Sequence, residues 1–159
     1  MDIFAITSKH SCWSDTIQFV DNSCWQGGRY LAGIMKRNQF RDWERVFIAQ
    51  NEKNIVGYCT FTERDELSEE YDFSPFIGCI FVDEKYRGNR HSEMLIKKVL
   101  EYARELGFES VYIMSNEIGL YEKYGFSLLG YYKTVFDSTE QLFIRSTKNN
   151  NITAIPDAV

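Results

Sequence analysis

The hydrophobic positions of this chain change period several times, and each change marks an element. The longest unbroken apolar run is Phe76–Val82, F-I-G-C-I-F-V. Short, aromatic-rich and free of polar breaks, it reads as a strand buried on both faces in the middle of a sheet. After Ser92 the period becomes helical. Leu95, Val99, Tyr102 and Leu106 form a stripe that Ile96, Leu100 and Ala103 widen, and Gly107-Phe108 supplies a left-handed stop with a hydrophobic latch. Another apolar piece, 110–114, follows, so a helix over 91–106 joins two strands that should be parallel neighbours.

Earlier in the chain, residues 1–6 alternate like an edge strand. Ser14 or Asp15 can cap a first helix carrying Ile17, Phe19, Val20 and, at its end, Trp25, and Gly27-Gly28 interrupts it. Tyr30, Leu31, Ile34 and Met35 give a second helical face that ends before Asn38. Residues 46–49 and 55–62 read as an antiparallel hairpin around Q-N-E-K-N, whose asparagines tolerate left-handed backbone. Downstream, N-E-I-G-L-Y-E-K-Y-G-F reads as one short helix closed by a second Gly-Phe stop, and 126–136 with 141–145 as a final strand pair turning at Asp137-Ser138-Thr139. The pattern ends after Ser146. A single domain over 1–146 with a flexible tail over 147–159 is expected.

Composition narrows what such a domain can do. With 159 residues, 44% of them hydrophobic and 16% aromatic, the chain can build one sizeable core. A net charge of −5 argues against a nucleic-acid partner and suits a cationic small molecule or peptide. No apolar window reaches the roughly 18–20 residues of a membrane span, and the first residues lack the basic-then-apolar order of a secretory signal. A cytoplasmic protein without a membrane partner is the expectation. Cys12, Cys24, Cys59 and Cys79 form no C-x-x-C pair and accompany only two histidines, so they read as reduced core residues, with neither zinc nor disulfides expected. The decapeptide 63–72, E-R-D-E-L-S-E-E-Y-D, carries six carboxylates. It reads as a solvated loop or as a device for recruiting or deprotonating a cationic amine. Glu63 is the best-placed base because it ends a strand.

Between the apolar strand and the long helix stands D-E-K-Y-R-G-N-R-H-S, basic and glycine-containing. Such a junction points backbone N–H groups and the positive end of a helix dipole at one spot, an anion site suited to phosphate.

Together, V-D-E-K-Y-R-G-N-R-H-S-E-M-L and the later N-E-I-G-L-Y-E-K-Y-G-F resemble the two signature segments of the GNAT superfamily of acetyl-CoA-dependent N-acetyltransferases. The order of elements from residue 12 to 146 fits that fold. The family's [Q/R]-x-x-G-x-[G/A] turn maps onto Arg87–Ser92, with Arg90 in place of the usual glycine and Ser92 in place of glycine or alanine. The resemblance implies an α/β (α+β) fold: a mixed, mostly antiparallel sheet of six to seven strands flanked by about four helices, with a splayed parallel strand pair holding the cofactor. It also implies that backbone amides of Arg87, Gly88, Asn89, Arg90, His91 and Ser92 hold the pyrophosphate of acetyl-CoA. The pantetheine arm would lie along Ile80, Phe81 and Val82, where an N–H near Ile80 or Phe81 faces the thioester carbonyl and Gly78 permits a bulge. Asn116 resembles the family's cofactor-contacting asparagine and can equally cap a helix. Tyr121 takes the role of general acid toward the leaving thiolate, with Tyr124 as fallback. The implied function is acetyl transfer from acetyl-CoA to a primary amine of a small molecule or peptide, by direct attack through a tetrahedral intermediate, in a monomer or homodimer. The alternative is a non-catalytic coenzyme-A-binding regulatory or interaction module of the same fold, which the departure at Arg90 motivates.

Overall fold

The computed structural model describes residues 1–148. Seven strands and four helices follow in the order β1 (Asp2–Ile6), α1 (Trp13–Asp21), α2 (Gln26–Lys36), β2 (Arg45–Asn51), β3 (Asn54–Thr62), β4 (Phe76–Val82), α3 (His91–Glu105), β5 (Ser110–Ser115), α4 (Leu120–Lys123), β6 (Ser127–Lys133) and β7 (Thr139–Ser146). One mixed sheet of order β1-β2-β3-β4-β5-β7-β6 results, antiparallel at every junction except β4–β5. The α/β architecture with a seven-stranded, mostly antiparallel sheet is the one expected.

Strand alternation distributes the core over both faces. Val46, Ile48 and Tyr58 pack with Trp13, Val20, Leu31 and Met35 beneath α1 and α2, whereas Phe47, Ala49, Cys59 and Phe61 pack with Leu95, Ile96, Val99 and Ala103 beneath α3. The predicted stripe of α3 is therefore the buried one, and Gly107 and Gly125 take the left-handed backbone of their stops. A third cluster, Leu67, Phe76, Met114 and Leu142, lies under the acidic loop.

That loop is built rather than merely solvated. Arg64 donates from Nη2 to the carbonyls of Ser68 and Tyr71, Leu67 is buried, and backbone bonds from Ser68 to Lys133 and from Val135 to Glu66 tie it to the β6–β7 hairpin.

Several local expectations change. Gly27 and Gly28 do not interrupt a helix; they lie in the first turn of α2, and Trp25 immediately precedes that helix rather than extending α1. A Cβ on Gly28 would stand 2.7 Å from the Val20 carbonyl and 2.4 Å from Ser23 Oγ, so the glycine is there to let α1 and α2 approach. In the β2–β3 turn it is Glu52, not an asparagine, that takes the left-handed conformation. β6 ends at Lys133, earlier than the apolar pattern suggested, because Thr134 turns the chain by bonding to Ser138. Thr147 is buried and bonded to Phe108, Glu109 and Arg104, so the ordered structure reaches past Ser146. The remainder of the expected flexible tail, 149–159, lies outside the described residues.

Gly28→Ala should destabilise the fold by about 1–3 kcal/mol through overpacking, although alanine is the better helix former by about 1 kcal/mol. A urea titration showing the variant less stable than the parent would verify this.

Candidate active site

Pairing between β4 and β5 is confined to Phe76 opposite Tyr112, with Tyr112 N donating to Pro75 O. Beyond that point the two parallel strands separate. β4 is further distorted by a bulge opposite Cys59, where the β3–β4 register shifts and Cys79 takes φ +47°. The bulge thus centres on Cys79 rather than on Gly78. Gly78 is needed for another reason: a Cβ there would stand 2.3 Å from Asp65 Oδ1, so the glycine leaves room for a carboxylate laid across β4.

Two cavities flank the splay. The first, about 680 Å³, is lined by Ile80, Phe81 and Val82 of β4, by Arg87, Gly88, Arg90, His91 and Ser92 of the turn into α3, and by Tyr121 and Tyr124. No side chain caps the first turn of α3, and His91 Nδ1 is buried without a hydrogen-bond partner. Uncapped amides, the helix dipole and an unsatisfied imidazole nitrogen together fit a multiply charged anion. Arg87 donates from Nε to Val82 O at 2.9 Å and lies over the Phe81 ring, bracing the strand against the turn while adding positive charge. Arg90 takes the left-handed backbone (φ 60°, ψ 28°) for which glycine is the natural choice, and its side chain forms an ion pair with Glu93. Ser92 shares a 2.9 Å hydrogen bond with the Tyr124 hydroxyl, joining the turn to α4.

The second cavity, about 840 Å³, is lined by Trp25, Tyr30 and Phe136, by Gly78, Cys79 and Ile80, by Asn116 and Tyr121, and by Asp65, Glu66 and Glu140. Burial pushes the Asp65 carboxyl up to about 7, with Glu140 adding to the effect and a backbone bond from Glu66 opposing it. Glu66 is likewise raised to about 7, first by burial and then by Asp65 and by Glu140, to which it is hydrogen-bonded. The Cys79 thiol is held well above its ordinary range by burial and by these carboxylates, so it is a neutral part of the wall.

Tyr121 lines both cavities. Its phenol is pushed up to about 12, mainly by burial, against a hydrogen bond from Ser115, so the proton stays on throughout the neutral range. Asn116 lines the second cavity and donates to Glu140 at 3.3 Å. Asn89 is not among the lining residues of either. Glu63 lies instead on a smaller cavity of about 240 Å³, where Arg41 holds its carboxylate at 2.6 Å and Glu44 bonds its backbone N–H. The members of the run that reach the Tyr121 cavity are Asp65 and Glu66, two and three residues on. The acidic run signalled the region, but which members face inward depends on the left-handed turn at Asp65, φ +47°, and no periodicity announces that.

Among the described residues no group of three or more His, Cys, Asp or Glu side chains is placed to hold a metal ion. No helix there is long and apolar enough to cross a membrane.

Residues 11–126 match the model of the acetyltransferase (GNAT) family. A curated relative, the uncharacterized N-acetyltransferase YhbS of Escherichia coli (strain K12), is 28% identical over 82 residues, 52% of this chain and 48% of that protein, so the match spans about half the length of each. Among solved structures, aminoglycoside 6'-acetyltransferase type Ii superposes with a TM-score of 0.71 at 13% identity, over 93% of this chain and 98% of that one. An aminoglycoside 6'-N-acetyltransferase complexed with coenzyme A gives 0.69 at 11% identity, with the same coverage. At such identities the likeness is one of fold.

Because Arg90 holds a left-handed backbone that glycine adopts without strain, Arg90→Gly should raise stability by about 0.5 kcal/mol, the roughly 1–2 kcal/mol of strain released less the roughly 0.5–1 kcal/mol of added glycine flexibility. A pH series on the unliganded protein checks Asp65. Its carboxyl binds a proton more tightly in the folded chain than in the unfolded one, where it titrates near 3.9, so stability falls as pH rises from about 4 to about 7 and is level above. Asp65→Asn should therefore be more stable than the parent at pH 8, with the gap closing toward pH 5.

Proposed function

Because the chain belongs to the acetyltransferase (GNAT) family, we propose that it is an N-acetyltransferase that moves an acetyl group from acetyl-CoA to a primary amine of a cationic small molecule or peptide. The observation that carries this reading is Tyr121, a tyrosine that keeps its proton, standing where the basic-turn cavity and the acid-walled cavity meet. The turn from Arg87 to Ser92 is the site for the pyrophosphate, supported by the uncapped start of α3 and the unpartnered His91 Nδ1. From Ile77 onward β4 has no strand partner toward β5, and its free edge along Ile80, Phe81 and Val82 suits an extended arm that completes the pairing. An N–H near Ile80, in the bulge, is the candidate donor to the thioester carbonyl oxygen.

A primary amine is mostly protonated at pH 7, its pKa being about 10.4. Asp65 is the base in this reading, because it faces the second cavity and titrates near neutrality, whereas Glu63 is already paired with Arg41. One N–C bond forms and one C–S bond breaks, the electron pair leaving with sulfur. The acceptor ammonium gives up two protons. One leaves to solvent by way of Asp65, and the other replaces the proton that the Tyr121 hydroxyl delivers to sulfur. Glu66, Glu117 and Glu140 outnumber Arg29 on the cavity lining and supply a net negative potential that favours a cation, and Tyr30 and Phe136 supply a rim over which a cation can also rest.

The alternative, a coenzyme-A-binding module without catalysis, draws on Arg90, which stands where the family's turn carries glycine and lines the cavity while paired with Glu93.

A panel of amines, assayed by thiol release from acetyl-CoA, should yield turnover with di- and polyamines ahead of neutral or anionic amines. Asp65→Asn and Tyr121→Phe should each lower kcat by about 10²–10⁴-fold, with calorimetric affinity for acetyl-CoA nearly intact. In the parent, kcat/KM should rise through about pH 7 as Asp65 loses its proton and show no descending limb from Tyr121 below pH 10. Binding without turnover of any amine would favour the alternative, and absence of binding would remove both.

A further inference from the structure

The two cavities share four lining residues, Trp25, Ile80, Glu117 and Tyr121. These residues border both cavities, and the boundary they form, the neck, is what a group extending from the basic-turn side to the acid-walled side runs against. Ile80 comes from β4, Glu117 from the segment after β5 and Tyr121 from α4. Trp25, from the segment joining α1 to α2, is the one neck residue supplied by the helical pair.

Its indole is held from several directions. Nε1 donates to Tyr58 Oη at 2.5 Å, and that hydroxyl shares a further hydrogen bond of 2.8 Å with Ser23 Oγ. The indole stacks on Phe81 at 6.1 Å and 14°, and Phe81 stacks in turn on the fully buried Tyr58 at 5.3 Å and 21°. On its own segment the ring folds back over α2: a Cβ on Gly27 would lie 2.5 Å from it, and one on Gly28 2.9 Å from Nε1. The sequence W-Q-G-G is thus the signature of an indole that needs two side-chain-free neighbours. Although 36% exposed, a side chain fixed by a hydrogen bond to a buried hydroxyl, by an aromatic stack and by backbone on its other flank gives way to something longer only by breaking those contacts.

From this geometry we infer that Trp25 is the specificity-determining residue that limits the transferred group to a short acyl chain, acetyl in preference to butyryl or longer. The inference rests on the acyl-transfer reading. Tyr58, Ser23 and Gly27 act as positioning residues for the indole, and the Tyr121 side of the neck is left to the proton donor.

The test is a series of acyl-CoA thioesters, acetyl, propionyl, butyryl and hexanoyl, compared by calorimetric affinity and by kcat/KM with one amine acceptor. Ratios to the acetyl value within each protein cancel any loss common to all donors. The parent should lose about tenfold or more per added methylene. Trp25→Ala should flatten or invert that series, and Trp25→Phe, which keeps an aromatic ring on Phe81, should shift it by one or two carbons. Tyr58→Phe, which frees the indole without removing it, should relax the series partway. A parent indifferent to chain length, or Trp25 variants with the parent's ratios, would overturn the inference while leaving acyl transfer standing. A parent that binds neither acetyl-CoA nor coenzyme A would instead remove the acyl-transfer reading on which it rests.

Discussion

The separation of β4 from β5 is the constraint on which the rest of the site depends. Two parallel strands that paired along their full length would close the sheet and leave neither cavity. Here pairing stops at Phe76 and Tyr112, and the bulge at Cys79 shifts the register in which Phe81 and Val82 pair with β3. An unpaired strand edge inside a protein is costly unless something satisfies its N–H and C=O groups. Two well-packed faces make the opening affordable, since α3 covers one side of the central strands and α1 with α2 the other.

Electrostatics divides the opening into two ends. On one side the α3 dipole, Arg87 and the unpartnered His91 nitrogen make the surface receptive to anions. On the other, Asp65, Glu66 and Glu140, three of the four carboxylates that line the cavity, are each raised or raise a neighbour, without a basic side chain in an ion pair with any of them among the described residues. Keeping Asp65 and Glu66 half-buried near like charges works against the stability of the unliganded fold. That is the usual relation between a poised site and the scaffold that holds it. Tyr121 stands between the two ends, its proton retained by the same burial that raises Asp65.

Much of the architecture was legible from periodicity. Both faces of the central strands, the α3 stripe and the two Gly-Phe stops follow from patterns that burial selects directly, and the order of elements follows from them. What misled was local. Gly27-Gly28 looked like an interruption because glycine disfavours helices, yet packing against Val20 and the Trp25 ring outweighs that preference of about 1 kcal/mol per residue. The acidic run looked solvated because its charges carry no period, although Arg64 and Leu67 anchor it.

The sequence by itself determined the strand, the basic turn, the helix and the tyrosine that follow one another from Phe76 to Tyr121, because each is a local pattern set by backbone geometry and burial. Only the tertiary structure decided which carboxylates face the opening, where the bulge falls, that Arg90 pairs with Glu93, and that Trp25 borders both cavities. Those outcomes depend on contacts between residues far apart in the chain, Asp65 with Gly78, Trp25 with Tyr58 and Phe81. A one-dimensional pattern records that a side chain is apolar or charged, and leaves open which distant neighbour it will meet.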